Sequence, residues 1–212
     1  MNVNIPTKEE MFHALEERHG SDFQKKISKA SGAVCGLGGL GSNIAISLAR
    51  AGIGRLHIID FDKVDISNLN RQQYFADQLG EFKTKALGDT LSRIAPYCEI
   101  VSHCVRLTEE NIPELLKNDD VVCEAFDSAE QKAMLVNCIL EKFPEKYLVS
   151  GSGMAGTGSA NLIKTRRITD HFFICGDESS DVEEAGSLVS ARVMVCAAHE
   201  ALMAIKIITE TI

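Results

Sequence analysis

Polar and apolar positions divide the chain into a lead-in and a long regular alternation. Phe12, Leu15 and His19 recur at helical spacing ahead of Gly20, and Phe23 and Ile27 extend a second short helix to about Lys29. Residues 1–30 therefore read as an N-terminal helical arm and residues 31–212 as one domain. From Ser31 onward, short apolar runs at 33–35, 56–59, 99–105, 121–125 and 147–150 read as strands. Between them, residues 42–51, 83–94, 112–117 and 130–142 read as helices, with Gly52 and Pro96 as stops for the first two. Such alternation predicts an α/β fold: a doubly wound, Rossmann-like, mostly parallel sheet with helices on both faces and right-handed crossovers.

The C-terminal part departs from this rhythm. Residues 159–167 predict an added strand, antiparallel at a sheet edge. Residues 169–187 are polar and acidic and predict a long mobile loop; loops of that length are often functional. Residues 189–210 close the chain as a largely apolar helix carrying Val193, Ala197, Leu202 and Ile205.

Composition narrows the class. The 212 residues carry a net charge of −8, which argues against nucleic acid or an anionic membrane as partner. No leader pattern opens the chain, and no apolar run approaches the roughly 18–20 residues a bilayer span needs, so a cytoplasmic protein is expected. The 7 cysteines are odd in number and several fall in apolar segments, which fits reduced thiols. No two stand in C-x-x-C spacing.

Candidate chemistry begins at the first predicted strand–helix turn. Gly36, Gly38 and Gly41 have G-x-G-x-x-G spacing, and Asp60 ends the next strand. This pattern brings backbone close to phosphates, points a helix N-terminus at an anion and offers a carboxylate to ribose hydroxyls. It usually suggests a dinucleotide such as NAD, and no G-x-x-x-x-G-K-[ST] signature is present. The segment 60–72 then adds Asp62, Asn68, Asn70, Arg71 and Gln72 just beyond a strand's carboxyl end. Arginine forks onto phosphate oxygens, so this set suits a polyphosphate better than a dinucleotide alone. Lys83 opens the following helix within reach of the same phosphates, and Asp127 ends a buried strand where a hard carboxylate can hold Mg²⁺. A second glycine-rich stretch, 151–158, reads either as a flexible connection or as a smooth channel for another backbone.

At Gly36–Ser42, Ala51–Gly54 and Asp60–Gln72 the sequence resembles the ThiF/MoeB/HesA family, bacterial relatives of the ubiquitin-activating enzymes. It is most similar to the short, divergent ThiF branch of sulfur-carrier adenylyltransferases. The resemblance implies ATP-dependent adenylation of the C-terminal glycine carboxylate of a small ubiquitin-like sulfur carrier ending in Gly-Gly, with thiamine biosynthesis as the pathway and pyrophosphate released. It further implies that Gly36, Gly38, Gly39 and Gly41 shape the nucleotide site and that Asp60 binds ribose. Asp62, Asn68 and Gln72 join the nucleotide set; Asn70, Arg71 and Lys83 handle phosphates; Asp127 holds magnesium. A homodimer is implied, with Arg18 as the candidate for an arginine reaching across from a partner subunit. Longer relatives hold zinc through two C-x-x-C pairs, which are missing here, so no zinc is expected.

Other residues carry plainer readings. Cys175, the one cysteine of the predicted loop, has acidic neighbours that disfavour a thiolate and reads as structural rather than as the site of a covalent intermediate. Cys35 and Cys123 read as small buried hydrophobes. His57 reads as a packed or edge histidine, and His199 as a packing or interface residue. His103 and Cys104 point to opposite strand faces. Asp177, Glu178, Asp181, Glu183 and Glu184 read as a solvated loop. Within the same chemistry, a molybdopterin-type carrier or another carboxylate is the alternative acceptor. An NAD-dependent oxidoreductase would use Gly36, Gly38, Gly41 and Asp60 but leave Asn70, Arg71, Lys83 and Asp127 without a role. A silent scaffold for a carrier would leave the whole phosphate set idle.

Overall fold

A computed structural model describes residues 5–210. The apolar runs become β1 (Ser31–Cys35), β2 (Arg55–Ile59), β3 (Glu99–His103), β4 (Val121–Glu124) and β5 (Tyr147–Gly151), followed by β6 (Lys164–Arg167) and β7 (Phe172–Gly176). They form one seven-stranded sheet of order β3-β2-β1-β4-β5-β7-β6. Every neighbouring pair is parallel except β6–β7, which closes the edge antiparallel, as the pattern implied. The chain lays β2 and β3 to one side of β1 and β4 and β5 to the other. That reversal leaves a crevice at the carboxyl ends of β1 and β4, where ligands bind in such sheets.

The helices are α1 (Lys8–His19), α2 (Ser21–Ile27), α3 (Gly39–Ala51), α4 (Lys83–Ile94), α5 (Ile112–Leu116), α6 (Ala129–Lys142), α7 (Val182–Ala185) and α8 (Ser190–Thr209). Alternation along the strands sorts the core into two layers. Val34 of β1 faces a layer with Ile44 and Leu48 of α3, Leu87 of α4 and Ala197 of α8. Ala33 and Cys35 face the other, with Leu116 of α5 and Ile139 of α6. The helices therefore cover both faces, as a doubly wound sheet requires.

In the lead-in, Thr7 caps α1 reciprocally with Glu10, and Gly20 ends it at φ +89°. No residue of α1 is buried, whereas α2 buries Gln24 and Ile27 and reaches α8 through Lys26 Nζ, which donates to the Thr209 carbonyl at 2.6 Å.

Two expectations for the C-terminal part need correction. The extra strand is limited to β6; residues 160–162 form a single tight 3-10 turn instead. Residues 169–187 are not a structureless loop: they hold β7, paired with β5, and the short α7. The run Phe172-Phe173-Ile174-Cys175 is a strand-length apolar segment between polar flanks, and its Phe172, Phe173 and Cys175 side chains are buried. Burial of that run against the sheet outweighs the polarity on either side.

Candidate nucleotide site

The glycine turn between β1 and α3 is shaped by close approach. Gly36 lies at φ +89°, and a Cβ there would stand 2.9 Å from the Ala125 carbonyl oxygen. A Cβ on Gly41 would stand 1.8 Å from the Gly36 carbonyl oxygen, so this glycine lets the helix fold back on the turn. Gly38 is open, with only Gln72 Nε2 nearby at 3.8 Å. Gly38 also precedes the first residue of α3, and no side chain caps that helix. The unsatisfied N–H groups of its first turn thus favour an anion.

Beside this turn lies a cavity of about 420 Å³ at the carboxyl ends of the central strands. Gly36, Gly38, Gly39, Asp60, Asp62, Arg71, Gln72, Lys83 and Asp127 all line it, and the opposite wall is Gly151–Ala155 with Ser180 and Asp181. Asp60 is 8% exposed; its carboxylate accepts the Leu37 N–H at 2.6 Å and the Asp62 N–H at 2.7 Å. Burial pushes the Asp60 carboxyl above its usual range, partly offset by the Asp62 N–H and the Lys83 charge. Lys83 Nζ donates to Asp62 Oδ2 at 3.1 Å, so an almost buried cation lies beside the carboxylate pair. Tyr74, a residue the sequence did not single out, donates its hydroxyl to the Leu37 carbonyl at 2.8 Å and supports the turn from behind.

Three expected site residues do not line the cavity: Gly41, Asn68 and Asn70. Asn68 Oδ1 accepts from Gln72 Nε2 at 2.8 Å, while Gln72 Oε1 is buried without a partner. Asn70 accepts from Arg71 at 3.0 Å and donates to the Leu188 carbonyl at 3.0 Å, orienting the arginine and tying it to the segment before α8. Arg18 lies on α1, away from the cavity lining.

Sequence reasoning also missed Phe61 and Arg106, which line the cavity with the guanidinium 5.2 Å from the ring centroid. It missed Lys132, which lines the cavity, and Glu124 and Ser150, to which Lys132 bonds. A charged residue inside the apolar run 121–125 was the available signal.

Cys175 lies in β7 with no exposed surface, not in a loop. Burial pushes its thiol up to about 12, with the Glu200 charge adding to this and the Thr165 hydroxyl opposing it. The acidic run is not simply solvated either: Asp177 forms a buried ion pair with Arg192, Glu178 pairs with Arg166, and Asp181 caps α7. His57 is packed, with Nδ1 2.9 Å from Asp119 and Nε2 2.7 Å from His103 Nδ1. His199 Nδ1 lies 3.0 Å from the Thr165 hydroxyl. No helix among the described residues is long and apolar enough to cross a membrane.

Fold and site together define a doubly wound α/β protein with a glycine turn and an uncapped helix N-terminus at its switch point. The chain belongs to the ThiF family, whose pattern extends over residues 13–211. It is 33% identical over 150 residues to the adenylyltransferase and sulfurtransferase MOCS3 of Caenorhabditis briggsae, covering 70% of this chain and 37% of that protein. It is 33% identical over 153 residues to the sulfur carrier protein adenylyltransferase of Thermus thermophilus, covering 70% of this chain and 51% of that protein. The chain thus spans about a third to a half of these curated relatives. Among solved structures, E. coli tRNA N6-threonylcarbamoyladenosine dehydratase in complex with AMP shares the fold, with a TM-score of 0.85 at 21% identity over 96% of this chain and 97% of that one.

Proposed function

We propose that this protein adenylates the C-terminal glycine carboxylate of a small ubiquitin-like sulfur carrier, using ATP and releasing pyrophosphate. The observation that carries the reading is the convergence of Asp60, Arg71, Lys83 and Asp127 on one cavity beside an uncapped helix N-terminus, in a ThiF-family chain. An oxidoreductase has no use for Arg71, Lys83 and Asp127 in that cavity.

In this reading Asp60 receives the ribose hydroxyls while still holding the glycine turn. The N–H groups opening α3, Arg71 and Lys83 neutralise phosphate charge, and Asn70 keeps Arg71 aimed. A carrier's terminal carboxylate is already ionised at neutral pH, so attack on the α-phosphorus needs alignment and charge neutralisation rather than a general base. One acyl–phosphate bond forms and the bond to pyrophosphate breaks. Mg²⁺ characteristically takes one or two carboxylates together with substrate phosphates, which fits Asp127 in a cavity built for polyphosphate. When bound it would neutralise charge on the phosphate oxygens. The Gly151–Ala155 wall suits an extended Gly-Gly tail, because glycines leave room for a second backbone. The thiamine-type carrier is the first acceptor to test, a molybdopterin-type carrier the second, and a homodimer is the expected assembly.

The decisive assay is ATP–pyrophosphate exchange with Mg²⁺ and a Gly-Gly-ended thiamine-type carrier. Carrier-dependent exchange, abolished in Asp127→Ala and strongly reduced in Arg71→Ala, is expected. ATP binding without exchange redirects the search to the molybdopterin-type carrier or another carboxylate. NAD binding in place of ATP refutes the adenylation reading.

A further inference from the structure

We propose that Lys132 is a positioning residue that locks together the two walls of the nucleotide site; as a statement about catalysis, this rests on the adenylation reading above. Lys132 stands one turn into α6 and lines the cavity, yet its ammonium is fully engaged elsewhere. It donates to Glu124 Oε2, to the Gly151 carbonyl at 2.7 Å and to Ser150 Oγ at 3.4 Å. An ammonium has three donors, so none is left for a phosphate. Lys132 thus differs from Lys83 and Arg71, whose charge faces the nucleotide in the reading above.

Its partners explain what it does instead. Glu124, at the carboxyl end of β4, has no exposed surface. Its second oxygen accepts the Phe126 N–H at 2.7 Å, immediately before Asp127. Ser128, immediately after Asp127, caps α6 by accepting the Gln131 N–H. Asp127 is therefore held between two anchored neighbours, and the first anchor depends on the ion pair with Lys132. The same ammonium holds the carbonyl of Gly151, where the opposite wall begins. One side chain thus sets the separation between the carboxylate assigned to magnesium and the channel assigned to the carrier's tail.

A merely stabilising role does not account for this arrangement. A buried ion pair is often no more stable than an apolar pair of equal volume, because desolvation offsets the attraction. What an apolar pair cannot supply is the directed bonds to Phe126 and Gly151. Misplacing a reacting group by about 1 Å is enough to cost ~100-fold in rate.

The test uses the full 212-residue chain. Lys132→Met alone leaves Glu124 buried without a counter-charge and is expected to fold poorly, so the informative variant is the double replacement Glu124→Gln with Lys132→Met. It is expected to melt cooperatively and to bind ATP without Mg²⁺ as the unaltered protein does. Its kcat for exchange should fall about 10–100-fold with little change in KM for ATP. Lys132→Arg, which keeps the positive charge and several N–H donors, should recover much of the rate. Full activity in the double variant overturns the proposal. So does a loss confined to ATP affinity, which would make Lys132 a nucleotide ligand.

If the unaltered protein shows no exchange with any carrier, the adenylation reading falls, and amide hydrogen exchange still decides the structural claim. Joint loss of protection at 125–128 and 151–155 in the double variant supports the lock; protection unchanged from the unaltered protein overturns it.

Discussion

Arg192, at the start of α8, and Asp177, just beyond β7, form an ion pair whose side chains are 5% and 4% exposed. The same guanidinium donates to the carbonyls of Gly158 and Ser159. Asp177 accepts the N–H groups of Ser179 and Ser180 at 2.9 and 2.8 Å. One buried pair thereby organises both segments that flank the cavity on the β7 side.

Removing one partner of such a pair strands a buried charge. Arg192→Met should cost about 3–5 kcal/mol and open the 177–188 segment to proteolysis. Burial alone would raise the Asp177 carboxyl, but the Ser180 and Ser179 N–H groups and Arg192 outweigh it and hold it well below the usual carboxylate range. The pair's contribution is therefore complete above the unfolded value of 3.8 and is lost as pH falls below it. Melting curves from pH 7 down to pH 3 should show that loss in the parent and a weaker acid dependence in Arg192→Met.

The two glycines that bracket the start of α3 should respond differently to alanine. Gly41→Ala drives a Cβ to within 1.8 Å of backbone, so several kcal/mol of stability are expected to be lost. Gly38→Ala meets nothing closer than 3.8 Å and should fold normally while binding ATP more weakly, since its methyl projects where phosphates are expected. Equal melting temperatures for the two variants would contradict the turn geometry.

Glu200 of α8 has no exposed surface, and neither carboxylate oxygen has a hydrogen-bond partner among the described residues. Burial pushes its carboxyl far above 4.5; Lys132 opposes the shift and Glu124 adds to it. In the unfolded chain Glu200 ionises near 4.5, while the folded protein resists ionisation, so stability falls as pH rises above that value. Glu200→Gln should therefore stabilise the protein at pH 8 by about 1 kcal/mol or more, or ~2–4 °C in Tm. At pH 4 the two proteins should melt together. A constant difference across the pH range would show that the carboxyl is not the cause.

Thiol reactivity should separate the cysteines by burial. Cys104 is exposed, whereas Cys35, Cys123, Cys175 and Cys196 are buried. Iodoacetamide at pH 8 should alkylate Cys104 in the folded protein and leave those four intact, as read by peptide mass spectrometry. Rapid native-state labelling of Cys175 would restore it as a site for covalent chemistry.

Much of the site was legible in the sequence because its chemistry is local. Gly36, Gly38 and Gly39 follow one strand, Asp60 ends the next, and Arg71, Gln72 and Lys83 come within about one crossover, so strand alternation and glycine spacing suffice to bring them together. Asp127 was legible for a similar reason: in a doubly wound sheet the ends of neighbouring parallel strands meet at one edge. Asn68 and Asn70 were recognised as a constellation with Arg71, but periodicity does not say which polar side chains face the cavity and which brace it. The strand β7 was hidden because a four-residue apolar core stands between polar segments, mixed in charge before it and acidic after it, and so reads as part of a loop.

Residues near one another along the chain sufficed for the strand–helix order through β5, the mostly parallel sheet and the glycine turn, because periodicity and glycine spacing act locally. Which partners the buried charges meet depends on contacts between segments far apart in the chain. Lys132 meets Gly151 and Arg192 meets Gly158 and Asp177 across 19, 34 and 15 residues respectively. Cys175, Cys196 and Glu200 come together only when α8 packs on β7. Partners of that kind are chosen by packing geometry, and a buried charge discloses its counter-charge only once the core around both has closed.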